Sequence, residues 1–381
     1  MKTEQKKWTK VSGWEPDDSF TLGGSAQLVL VFGATQILKE QKPFQDLMTA
    51  YPNAHITGCS TSGEIMDTQV FDNTLVATAV HFEHSRIKTV KINLKEVKGS
   101  SFQAGASLAQ SLEKKGLVHV LTLSDGLNVN GTELARGLMT YLPDKVYVTG
   151  GLAGDSDRFK ETLVVCDNVS AKTDTISVLG LYSDSLRVGF GSVGGWDSFG
   201  PERLVTRSKA NILYELDGRS ALELYKEYLG EHAGGLPATG LLFPLNVRIE
   251  RNTAPVVRTI LGVNETDQSM TFAGDVPEGS YAQLMKANFD RLIDGAVNAA
   301  KISHQALDFK SPDLAILISC VGRKLVLRQR TEEEVEGVRE VLGKKPTLTG
   351  FYSYGELCPS SNNGRCELHN QTMTITTLLE N

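Results

Sequence analysis

Two short stretches carry residue types that could build a ligand site. The first is Thr57-Gly58-Cys59-Ser60-Thr61-Ser62-Gly63-Glu64-Ile65, and the second is Thr349-Gly350-Phe351-Tyr352-Ser353-Tyr354-Gly355-Glu356-Leu357. Both read Thr-Gly-x-x-[Ser/Thr]-x-Gly-Glu-[Ile/Leu], near opposite ends of the chain. Glycines let a partner approach the backbone closely. The hydroxyl residues offer donors and acceptors, and the glutamate adds a fixed anionic acceptor. A tight corner capped by its own glutamate would use the same residues. Duplication at two distant places points instead to loops sharing one ligand, and both readings stand. The candidate contacts are Gly58, Cys59, Ser60, Thr61, Gly63 and Glu64 in one loop, and Tyr352, Tyr354, Gly355 and Glu356 in the other. Two facing carboxylates repel unless a cation lies between them. A ligand ammonium, or Arg323 just after the apolar run Leu314 to Ser319, could fill that role. A weaker third copy, Val148-Thr149-Gly150-Gly151-Leu152-Ala153-Gly154-Asp155, adds Gly150, Gly151 and Asp155.

Other chemistry is sparse. The chain has no Gly-x-x-x-x-Gly-Lys-[Ser/Thr] phosphate loop, no Gly-x-Ser-x-Gly elbow and no His-Glu-x-x-His pair. An enzyme would have to use Cys59 or Glu64, and no base–nucleophile–orienter set accompanies either. A haem iron would need an imidazole or thiolate. His232, in the glycine-rich stretch Glu231-His232-Ala233-Gly234, could reach into a slot without straining a strand. Cys358, before Pro359, and His369 are the other candidates. His369 and Asn370 lie close in sequence to the second Gly-Glu loop and are further candidate ligand contacts, or could hydrogen-bond its backbone. His119, inside Leu117-Val118-His119-Val120-Leu121, reads as a core histidine.

The elements that must position these residues follow from periodicity. Leu28 to Phe32, Leu117 to Leu123 and Leu314 to Ser319 are short buried strands, each followed by a helical pattern. Leu75 to Phe82 and Ile87 to Leu94 alternate and read as neighbouring antiparallel strands. Ser280 to Ile302 is the longest helical pattern, and Gly230 to Leu241 is the most linker-like stretch. Strands outnumber helices. The expected fold is α/β (α+β), with mixed sheets covered by helices and two related halves in a pseudo-twofold arrangement. The expected division is a polar opening segment over 1–26, then domains over 27–215 and 216–381.

Composition bounds the function. A net charge of −6 with scattered basic residues argues against a nucleic-acid surface. The apolar runs are too short to cross a bilayer, and the five cysteines form no Cys-x-x-Cys pair. Reduced thiols in a cytoplasmic protein are expected.

Taken together the motifs resemble the FIST family. The first half, through the first Gly-Glu loop and Val148 to Asp155, looks like the FIST N domain. The second half looks like FIST C, through Ala221-Leu222-Glu223-Leu224-Tyr225, Val257-Arg258-Thr259-Ile260-Leu261, the second Gly-Glu loop and Leu368-His369-Asn370-Gln371-Thr372. The resemblance implies a prokaryotic sensory module for small ligands such as amino acids. It also implies that some stand-alone members are haem proteins sensing nitric oxide. With no output segment recognisable beyond the FIST halves, signalling would pass to a separate partner such as a histidine kinase.

Overall fold

Three stretches of the chain fold in the same way in the computed structural model, which describes residues 1–16, 19–167, 169–249, 255–360 and 364–381. Each unit has an inner strand, a crossover helix, a partner strand parallel to the inner one, a short arm, and a return strand antiparallel to the inner one. In the first unit these are Leu28–Gly33, Gln41–Ala50, His55–Ser60, Glu64–Met66 and Leu75–His81. In the second they are Leu117–Ser124, Gly131–Tyr141, Tyr147–Leu152, Val164–Cys166 and Thr175–Tyr182. In the third they are Leu314–Cys320, Thr331–Leu342, Thr347–Ser353, Gly355–Pro359 and Met373–Glu380. An outer strand flanks each return strand: Lys2–Thr9, Arg86–Asn93 and Leu186–Val193.

The inner strands are nearly all apolar because both faces are buried. One face lies under helices. The other faces a common centre where Leu28, Leu30 and Phe32 meet Leu121 and Leu123 and then Leu314, Ile316 and Ile318. Phe32 stacks on Phe351 there, with ring centroids 4.7 Å apart.

The arms tie the units into a cycle. The second unit's arm pairs with the first unit's partner strand, the third's arm with the second's partner strand, and the first's arm with the third's. The threonines of the Thr-Gly pairs repeat the cycle. Thr57 bonds Ser177 at 3.2 Å, Thr149 bonds Thr376 at 2.7 Å, and Thr78 bonds Thr349 at 2.9 Å. The glycine beside each lets the partner strand cross its inner strand closely. A Cβ would lie 1.7 Å from the Val31 carbonyl oxygen at Gly58, 1.9 Å from that of Thr122 at Gly150, and 1.8 Å from that of Leu317 at Gly350.

Helices covering several mixed sheets are what the sequence predicts, and the two related halves are consistent with the arrangement formed. Between the two Gly-Glu units, and paired with both, stands the second unit. Other expectations change. The first residues, read as a polar opening, include a strand that buries Lys6 and Trp8 and pairs with Leu75–His81. Leu75–His81 and Arg86–Asn93 lie in different sheets, each held by its own unit's strands. The helical pattern over Ser280 to Ile302 splits into a strand, Tyr281–Lys286, and a helix, Phe289–Gln305, capped by the Asn288 side chain. That strand belongs to a subdomain inserted in the third unit between Leu186–Val193 and Phe289–Gln305, with its own sheet and core. The linker-like stretch is two 3-10 turns, Gly230–Gly235 and Ala238–Leu242, on this subdomain.

Replacing Gly350 by alanine should cost about 3 kcal/mol or more, because backbone atoms rather than a mobile side chain occupy the space. Gly262→Ala, with nothing within 4 Å of the added methyl, should change stability by no more than about 0.5 kcal/mol. Equal denaturation midpoints for the two variants would contradict this account of the crossing.

Candidate functional site

Both Gly-Glu loops are the corners where a partner strand turns into its arm. In the first, the Glu64 carboxylate accepts from Thr61 Oγ1 at 2.5 Å and from Thr74 N and Oγ1 at 3.2 and 2.8 Å. In the second, Glu356 accepts from Ser353 Oγ at 2.6 Å and from Thr372 N and Oγ1 at 3.2 and 3.0 Å. Each glutamate thus ties its corner to the residue that starts its own return strand. Both are buried, and no ion pair reaches either among the described residues. Burial raises the carboxyl pKa to about 7 for Glu64 and about 8 for Glu356, against the hydroxyl and amide donors that lower it.

The second unit's corner departs from this pattern. Strand register places Val164, opposite Cys59, where Glu64 and Glu356 stand opposite Phe351 and Gly151. Asp125 supplies the missing carboxylate from another element, accepting from Asp174 N at 2.7 Å and Thr162 Oγ1 at 2.8 Å. Asp155 is not the glutamate's counterpart. It anchors an extra loop, 154–162, by accepting from Thr35 Oγ1 at 2.7 Å, from the main-chain N–H groups of Lys160 and Glu161, and from Arg158.

Most other expected contacts serve the fold. Arg323, fully buried, pairs with Glu334 at 2.7 Å and donates to the Leu292 and Gly194 carbonyls. Tyr352 donates to the same carboxylate at 2.7 Å. Cys59 and Ser60 lie buried on the partner strand, Ser60 Oγ donating to the Gly154 carbonyl at 2.8 Å. Burial pushes the Cys59 thiol well up, away from a nucleophilic thiolate. His369 bonds the Cys358 carbonyl oxygen at 3.0 Å. Asn370 is buried with neither side-chain polar atom partnered among the described residues. Gly58, Gly150 and Gly350 sit at the strand crossings; Gly151 and Gly355 are within paired strands. Gly63, Thr61 and Tyr354 complete the corners.

A cavity of about 970 Å³ opens beside these corners. Ser62, Asp72 and Asn73 of the first unit form one wall, and Ser156, Asp157 and Phe159 of the extra loop form another. The third unit adds Val321, Lys324, Leu325 and Arg328 from the segment after its inner strand. The inserted subdomain supplies the roof through Gly235 to Thr239, Leu241, Leu242, Ile260 and Leu261. Its size is that of a small-molecule site. Lys324 donates to the Ser62 carbonyl at 2.9 Å and ion-pairs with Asp72, joining two units across the floor. Arg328 and Asp157 make no side-chain hydrogen bond or ion pair among the described residues.

Ser62 aside, the sequence motifs miss this cavity. Lys324, Arg328, Asp72 and Asp157 have no periodic signature. The unequal length of the second corner was the readable signal. None of the described lining residues is His, Cys, Met or Tyr, so the cavity does not fit a haem held by a protein side chain. His232 is exposed on the adjacent turn, its ring 5.5 Å from that of Phe243. Among the described residues no group of three His, Cys, Asp or Glu could hold a metal ion.

The corner role of the glutamates has a pH signature. Between about 4.5 and the raised values, the folded chain holds protons that the unfolded chain releases. Stability from these groups is full below about pH 4.5 and falls as pH rises through about 7 and about 8. The melting temperature of Glu356→Gln should therefore fall less than that of the unaltered protein between pH 6 and 9. Identical slopes would remove the corner interpretation. Arg323→Ala, which strands Glu334, should cost about 3–5 kcal/mol in chemical denaturation.

The FIST N domain is matched over residues 27–219 and the FIST C domain over residues 221–359. An uncharacterized protein of Methanocaldococcus jannaschii is 23% identical, over 87% of this chain and 70% of its own length. A cyanuric acid hydrolase from A. caulinodans aligns over 78% of this chain and 99% of its own at 11% identity, with a TM-score of 0.18 that establishes no shared fold. FIST domains are associated with sensing in signal transduction. With both of its domains matched along most of its length, the chain belongs to the FIST family.

Proposed function

We propose that this chain is a sensory ligand-binding protein of signal transduction whose cavity takes a small, zwitterionic, amino-acid-like metabolite. The observation that carries this reading is the pair of opposite charges at one cavity, Arg328 and Asp157, with no side-chain partner among the described residues. A carboxylate would meet the Arg328 guanidinium, with the remaining donor of Lys324 within the same wall. An ammonium would meet Asp157. The apolar roof from Leu236 to Leu242 would cover the rest of the ligand. Because the walls belong to three units and an inserted subdomain, an occupant bridges parts that otherwise meet around a void. Occupancy would thus bias how the roof sits on the body. A separate signalling protein, such as a histidine kinase, would read that difference.

A thermal-shift panel of neutral amino acids tests the proposal. Binding should raise the melting temperature, and Arg328→Gln or Asp157→Asn should each weaken affinity roughly tenfold. The unliganded variants should stay within about 0.5 kcal/mol of the parent. A panel without any stabilising zwitterion would refute the proposal, as would a bound zwitterion indifferent to both substitutions.

A further inference from the structure

Phe159 stands out in the extra loop of the second unit. Its ring stacks on Tyr354 with centroids 4.4 Å apart and planes inclined by 12°. The residue is 37% exposed and lines the cavity. No ring or cation among the described residues covers its other face. Its φ is +51°, a conformation that bulky side chains avoid, and Ser156 in the same loop has φ +55°. Strain of this kind persists only where the surroundings enforce it, and it gathers at functional sites. Here the enforcement is visible. Tyr354 Oη accepts the Phe159 N–H at 3.2 Å and donates to the Ser156 carbonyl at 3.1 Å, while Asp155 accepts the N–H groups of the two residues that follow. The loop has no equivalent at the other two corners, where three residues, Thr61, Ser62 and Gly63, and the single residue Tyr354 span the turn. A fold that needed only to close its second corner had no use for a strained loop holding an aromatic ring at a cavity.

We propose that Phe159, backed by Tyr354, is the specificity-determining residue of the cavity, and that the preferred ligand carries a planar aromatic ring seated on its free face. This rests on the cavity reading above and adds a selection the charges do not make. Stacked rings favour one another beyond the area they bury, whereas a saturated ring of the same size gains only the burial. Across the cavity Leu236, Pro237 and Ile260 are apolar and would close over such a ring.

Phenylalanine, cyclohexylalanine and leucine, titrated by calorimetry, separate the possibilities. They share the zwitterionic head and carry, in turn, a planar ring, a saturated ring and no ring. The unaltered protein should bind phenylalanine on the order of tenfold more tightly than either saturated analogue. Phe159→Leu should erase that preference, and Phe159→Tyr should keep it, with unliganded melting temperatures recorded for both. Equal affinity for phenylalanine and cyclohexylalanine in the unaltered protein overturns the inference without any variant having to fold. A preference that survives Phe159→Leu overturns it too. If leucine binds as well as phenylalanine, only the ring selection fails. If no zwitterion binds, the cavity reading fails with it.

Discussion

The fold depends on main-chain hydrogen bonding at three strand edges. Each partner strand that ends in a Thr-Gly corner would leave one row of N–H and C=O groups facing outward, unpaired. The next unit's arm covers that row in every case. Because each arm must leave its own unit to do so, the corners from which the arms depart are drawn together and buried. That burial decides what their side chains can do. Glu64 and Glu356, the most distinctive residues in the chain, end up fastening return strands. Binding capacity falls to whatever is not repeated: the extra loop at the second corner, the segment after the third inner strand, and the inserted subdomain.

The same division explains what the sequence revealed. A repeated motif is visible as a pattern, so the Gly-Glu corners and the weaker third copy could be found without coordinates. Their role could not, since the same hydroxyls and carboxylate serve a corner or a ligand equally well. Asp155 misled because Gly154-Asp155 imitates the Gly-Glu pair, while the residue in that register is Val164, beyond the loop. Tyr281–Lys286 read as helix because apolar Leu284 and Met285 fit the helical pattern of the segment that follows; pairing with Asp197–Lys209 and Leu245–Arg248 overrides it. Lys324 and Arg328 were silent. Nothing in their spacing distinguishes a cation over a cavity from one in solvent.

The cavity and the core use opposite electrostatic arrangements. Arg323 is enclosed and fully committed to Glu334 and main-chain carbonyls. On the helix just beyond, Lys324 is shared between two units, and Arg328 at its end lines the cavity with no side-chain partner among the described residues. A few residues thus pass from a buried ion pair that fixes the helix to a charge left available.

The arm exchange also constrains how the chain can be made. Glu64–Met66 pairs with Thr349 to Phe351, and the final strand pairs with both Leu186–Val193 and Leu314–Cys320. A ribosome that has completed the first unit has therefore produced an arm with nowhere to go, and the strand meant to receive it is still unwritten. The first partner strand, by contrast, gains its cover as soon as Val164–Cys166 emerges. The closing contacts join the first unit to the third, so the ring of units locks only once Thr347–Ser353 and Met373–Glu380 have been made. Until then, the nascent protein carries an open sheet edge that invites a neighbouring copy's arm in place of its own.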